Sequence, residues 1–143
     1  MPLNRRQIVS AGLAAAGQNA TFTPVQVQKL FFLIDREGPH LVNGPHCAFR
    51  PYDYGPFDSD VYSTLDSLER EGLVAVVAGR YRLYMLTPSG FAEGQRILGA
   101  LPSETRDFIR KTVRWVCGLS FQQLVAAIYR RYPEMRANSI FQG

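Results

Sequence analysis

Cysteine is nearly absent: Cys47 and Cys117 occur 70 positions apart and in no paired motif, which excludes a disulfide framework and leaves both thiols expected as reduced, structural residues. Histidine is as scarce, with His40 and His46 alone. A metal set drawn from His40, His46, Cys47 and Cys117 fits no standard ligand spacing, and neighbours at 46 and 47 do not easily share one ion. Cys47 beside His46 is not a catalytic pair either, because sequence neighbours become one only when the fold brings a base within reach. The glycines from Gly94 to Gly99 lack the Lys-Ser/Thr that a phosphate loop requires. No metal, cofactor or catalytic set is therefore expected, and the chain reads as a non-enzyme. No apolar run approaches the roughly 18 residues of a membrane span. Met1-Pro2-Leu3-Asn4-Arg5-Arg6 leads into a small-residue amphipathic segment rather than a signal-type stretch, so a cytoplasmic protein without a membrane partner is expected.

What is present suits a single globular domain. The chain has 143 residues, of which 46% are hydrophobic and 20% charged, enough to bury a sizeable core. Its net charge of +4 is unevenly spread. Residues 1–95 hold eight Lys or Arg against nine acids, and residues 96–143 hold eight against three. The positive field belongs to the C-terminal third, where a polyanionic partner is first sought.

Periodicity predicts six helices. Asn4 to Ala16 is the first, with Ile8, Val9, Leu13 and Ala16 on one face and Gly17 at its end. Thr23-Pro24 opens the second, with Val27, Leu30, Phe31 and Ile34 buried, ending near Glu37-Gly38-Pro39. A loop with a short edge strand around Cys47 to Arg50 follows. The stretch Phe49-Arg50-Pro51-Tyr52-Asp53-Tyr54-Gly55-Pro56-Phe57-Asp58 then makes a rigid, space-filling turn that aims the third helix. Asp58 or Ser59 caps that helix, Val61, Leu65 and Leu68 form its apolar face, and Gly72 ends it. Leu73 to Val77, a tight turn near Ala78-Gly79 and Tyr81 to Leu86 read as a β-hairpin. Thr87-Pro88 opens a fourth helix to about Leu98, Ser103 caps a fifth that stops at Gly118, and Ser120 caps a sixth that ends at Tyr132-Pro133. The fold class is α+β. A winged-helix-like core over residues 1–92, made of helices one to three and a two- or three-stranded wing, carries a helical extension over 93–143.

The turn Tyr52-Asp53-Tyr54-Gly55-Pro56-Phe57, the helix end Leu68-Glu69 to Gly72-Leu73 and the exit Tyr84, Leu86, Thr87, Gly90 resemble a bacterial and phage group, the Panacea (SocA-like) antitoxin and YwgA-like proteins. Gln28-Lys29-Leu30 before Phe31-Phe32 is similar to that group's second helix. The resemblance spans about residues 24–92. It implies a winged-helix-like domain that acts as a toxin-neutralising or adaptor protein by contact with another protein, without a cofactor.

The candidate binding residues follow from charge and exposure. The third helix, from Asp58 to Glu71, carries five acids against Arg70 alone, the wrong sign for the major groove of a polyanion. Arg106, Arg110 and Arg114, with Lys111 beside them, would form a basic stripe on the fifth helix, for which a solvated face is the plainer reading. Arg80 and Arg82 lie near the wing tip, where they could touch phosphates. Tyr52 is the aromatic expected at the surface, with Tyr54 and Phe57 mostly buried and Gly55-Pro56 structural. Trp115 is expected to pack against a helix or at a homodimer surface. The expected partner is a protein, such as a toxin encoded nearby, with DNA as the alternative.

Overall fold

The computed structural model describes residues 2–80 and 82–142, so Tyr81 of the expected hairpin lies outside the described residues. The protein is α+β, with seven helices and two small antiparallel sheets among the described residues. In chain order these are α1 (Arg5–Ala14), β1 (Thr21–Phe22), α2 (Pro24–Glu37), α3 (Pro39–Val42), β2 (Arg50–Tyr52), β3 (Gly55–Phe57), α4 (Ser59–Arg70), β4 (Val74–Val77), β5 (Leu83–Leu86), α5 (Pro88–Ala100), α6 (Ser103–Cys117) and α7 (Phe121–Arg131). A 3-10 turn, Pro133–Arg136, follows.

The helix starts are set locally. Asn4 with Gln7, Thr23 with Gln26 and Ser120 with Gln123 each form a reciprocal capping box, in which two free N–H groups are satisfied at once. Asp58 accepts from the Asp60 amide at the start of α4. Ser103 does not cap α6: Pro102 holds the cap position and supplies no side-chain bond.

Helix α2 is the centre of the molecule. Its run Leu30-Phe31-Phe32-Leu33-Ile34 leaves no polar face, which is the signature of a helix enclosed on all sides. Every residue from Val27 to Asp35 is buried, and the helix touches α1, α3, α4, α6, α7 and β3. On the far side of α1 lies α5. A Cβ on Gly94 would stand 2.5 Å from the Cβ of Ala14 and 2.7 Å from the Ser10 carbonyl oxygen, so only glycine permits this approach. Ile109, Val113 and Val116 of α6 and Leu124, Val125 and Ile128 of α7 join the same core as Ile8 and Leu30.

Two sheets replace the single wing expected. β1 pairs with β5 through Phe22 and Tyr84, and β5 pairs with β4, giving the order β1-β5-β4. Phe22 is buried, and so two residues next to a helix start suffice as a third strand. The aromatic turn is itself a hairpin: β2 and β3 pair with Arg50 opposite Phe57 and Tyr52 opposite Gly55, around Asp53-Tyr54. The edge strand thus begins at Arg50 rather than near Cys47. The seventh helix is α3, a single turn after Gly38 that periodicity is too short to reveal.

Candidate interaction surface and buried lysine pocket

The 50–57 hairpin is held from below by polar side chains of α2. Gln28 and Asp58 bond reciprocally, the Gln28 amide donating to the Asp58 carbonyl at 3.1 Å and the Asp58 amide donating to Gln28 Oε1 at 2.9 Å. The Asp58 carboxylate accepts from the backbone of Ala48 at 2.6 Å and Asp60 at 2.8 Å. One helical turn or more further along, Asp35 accepts from the amides of His46 at 2.9 Å and Cys47 at 2.8 Å. These carboxylates satisfy loop amides that have no sheet partner, a strong use of a buried charge.

Between these anchors lies Lys29, only 3% exposed. Among the described residues it makes no hydrogen bond or ion pair, and burial alone lowers its pKa from 10.5 to about 7. It lines a pocket of about 290 Å³ with Pro24, Tyr52, Tyr54, Phe57 and Tyr62. Gly55 forms part of the wall with φ +107°, and a Cβ there would lie 3.6 Å from Lys29 Nζ and 3.4 Å from a ring carbon of Tyr129. The two segments that carried the resemblance, Gln28-Lys29 and Tyr54-Gly55-Pro56, therefore line one cavity.

The outer side of the hairpin is aromatic. Tyr52 is 47% exposed and stacks on Phe57 with centroids 4.8 Å apart. Tyr54 is 37% exposed, a correction to its expected burial, because the two-residue loop turns it outward onto Phe121 at 5.2 Å. Phe57 is half-buried and Pro56 buried. Phe121, itself 44% exposed, touches Phe141 at 6.1 Å. The final segment straps this surface down: the Ile140 amide and the Ser139 hydroxyl donate to the Asp53 carbonyl at 2.9 and 3.2 Å, and the Tyr129 hydroxyl donates to Ser139 at 2.6 Å.

The expected cationic residues are not all alike. Arg106 donates to the carbonyls of Leu98 and Leu101 at 3.5 and 3.3 Å, closing the end of α5 rather than standing free in a stripe. Arg110, Lys111 and Arg114 are exposed, and Arg110 and Arg114 line a shallow groove with Ala15, Ala16 and Cys117. Arg80 and Arg82 lie in the exposed connection before β5 rather than on a strand, and Arg82 covers the Tyr84 ring at 5.5 Å. The acids of α4 are partly answered by α1, with Arg5 on Asp60 at 3.3 Å and Arg6 on Glu71. Trp115 is partly buried against the core and faces Arg131 at 6.0 Å.

Burial, reinforced by Asp35 and Asp58, raises the Cys47 thiol to about 12, so it is no nucleophile near neutral pH. The His46 ring is engaged with the Val42 carbonyl at 2.7 Å. Gln28, Lys29 and Asp35 were not singled out as functional by sequence, although their place inside the most apolar helix was a signal: a helix enclosed on every side encloses its polar residues too. A scan against protein-family models finds no match to this chain, and no curated protein matches it. No described helix is long and apolar enough to cross a membrane.

Proposed function

We propose that this protein is a non-enzymatic interaction protein, antitoxin-like or adaptor, that binds a partner protein through the aromatic surface around the Tyr52–Tyr54 corner. The observation that carries this reading is where exposed apolar side chains gather. Five large ones are exposed among the described residues, and four of them, Tyr52, Tyr54, Phe121 and Ile140, belong to the hairpin or to segments in contact with it. Scattered exposed apolar residues are ordinary, whereas a contiguous aromatic patch marks an interface. Arg50 and Arg136 are exposed nearby, Arg136 over the Tyr129 ring at 5.3 Å, so the patch combines rings with guanidinium groups, as interface cores do.

The winged-helix-like reading of the scaffold rests on element order. A helix, a short strand, further helices and a hairpin, with sheet order β1-β5-β4, make β4–β5 the wing and α4 the helix preceding it. DNA binding is the second reading, favoured by the exposed Arg110, Lys111 and Arg114 and opposed by the acids of α4.

The test is coexpression with the product of the neighbouring gene. Copurification that Tyr54→Ser with Phe121→Ser abolishes, and Arg110→Glu with Arg114→Glu leaves intact, is the expected result. Random duplex DNA bound at 50 mM salt, lost steeply by 200 mM and removed by the arginine variants, would instead establish the second reading.

A further inference from the structure

We propose that the Lys29 pocket receives one carboxylate of the partner protein, an acidic side chain or a chain terminus, carried on an apolar stem between Tyr52, Tyr54, Phe57 and Tyr62. This inference rests on the interaction reading above and assigns the chemistry at its centre.

Three observations carry it. Lys29 is a nearly buried cation-forming group with no hydrogen bond or ion pair among the described residues, although the neighbouring polar residues of α2 are bonded, Gln28 to Asp58 and Asp35 to His46 and Cys47. Burying an amine without a counter-ion is unfavourable, so a lysine in this position is held below its ordinary pKa until an anion arrives. The pocket opens where the exposed patch lies, because Tyr52 and Tyr54 are both its wall and its outer surface.

The set of lining groups also selects the ligand. Among the described residues Lys29 is the only Lys or Arg in the wall, which matches one negative charge and leaves a phosphate dianion half-compensated. Aromatic walls suit an apolar stem. Asp53 lines the pocket as well, makes no ion pair with Lys29 among the described residues, and repels an anion that approaches from its side. The titratable groups that line the pocket with Lys29 are Asp53, Tyr52, Tyr54 and Tyr62, with Tyr129 behind Gly55 and Asp58 bonded to the neighbouring Gln28. Burial raises the Tyr62 and Tyr129 hydroxyls above their ordinary value, which favours their neutral form. Lys29 is the pocket group that takes up a proton when a carboxylate enters near pH 8.

N-acetyl-phenylalanine and its amide are the probes, titrated into the full chain while the Lys29 ε-methylene signal is followed by NMR. The acid is expected to bind at least tenfold more tightly than the amide and to raise the Lys29 pKa by one unit or more. Lys29→Met, shown folded by its amide spectrum, is expected to lose that preference and to weaken capture of the neighbouring gene's product at least tenfold. Equal binding of acid and amide, or a preference retained by Lys29→Met, overturns the inference. Acid binding with partner capture unchanged in Lys29→Met also overturns it, since the pocket would then serve a free small acid. In both cases the aromatic-patch reading survives, because that reading is tested separately by Tyr54→Ser with Phe121→Ser and by the salt-dependent DNA assay.

Discussion

Helix α2 holds Gln28, Lys29 and Asp35 inside the protein, whereas its packing partner α6 holds Arg110, Lys111 and Arg114 in solvent. On α6 the cations are separated from the core by helical geometry, since Ile109, Val113 and Val116 turn inward and the charges turn out. Water solvates them, and no particular partner is demanded. From Val27 to Asp35, α2 has no outward face, so each polar group there must be matched by a structural bond or by something from outside. Asp35 and Gln28 are matched within the chain, while Lys29 has no match among the described residues. Cationic charge on the surface is thus a weak pointer to function, and an unmatched cation in the interior is a strong one.

The largest expected effect comes from breaking a matched group of the interior. Asp58→Ala removes the acceptor for the Ala48 amide and the cap of α4. A loss of roughly 3 kcal/mol is expected, from the ordinary worth of charged hydrogen bonds and caps. Chemical denaturation would show it, and a loss under 1 kcal/mol would mean that water replaces the carboxylate.

Lys29→Met tests the unmatched group and should act in the opposite direction. Below pH 7 the lysine is protonated in both folded and unfolded chains, and the folded protein bears the full penalty of burying the charge. Between pH 7 and pH 10.5 the unfolded chain binds more protons than the folded one, so wild-type stability from this group rises with pH. The methionine variant is expected to be more stable by on the order of 3 kcal/mol at pH 6, with the advantage shrinking steadily toward pH 9.5. A pH-independent difference between the two melting curves would show that Lys29 is not desolvated.

Gly55→Val joins the two halves of the comparison, since it strains the hairpin that roofs the pocket. Its φ of +107° disfavours any side chain, and the added methyls would press on Lys29 and Tyr129. A drop of roughly 1 to 3 kcal/mol is expected, and an unchanged melting point would show that the turn relaxes freely.

How much of this was legible in the sequence differs between the same two regions. The start of α2 at Thr23-Pro24 and its buried Val27, Leu30, Phe31 and Ile34 were readable from capping chemistry and spacing, as was the structural role of Gly55 in a tight turn, where φ is positive. The burial of Lys29 was not, because it depends on which elements surround α2, and α6, α7 and β3 arrive from distant parts of the chain. Tyr54 was misplaced for a related reason: composition shows an aromatic turn, but only the strand register of Tyr52 opposite Gly55 decides which rings point outward. Arg106 looked equivalent to Arg110 and Arg114 by four-residue spacing. The preceding helix end, where the Leu98 and Leu101 carbonyls accept from its guanidinium, distinguishes it, and that requires knowing how α5 meets α6.

The smallest effect is expected where sequence reasoning saw the strongest electrostatic signal. Arg110→Glu with Arg114→Glu reverses two exposed charges on α6 that have neither a hydrogen bond nor an ion pair among the described residues, so stability should stay within about 0.5 kcal/mol of wild type. The same variant discriminates sharply in binding. A polyanion held by these arginines would lose affinity in the variant and in rising salt together, since both act by removing phosphate neutralisation. A partner seated on the Tyr52–Tyr54 surface would be insensitive to both changes, because its affinity would come from apolar burial and one enclosed carboxylate that salt screens poorly.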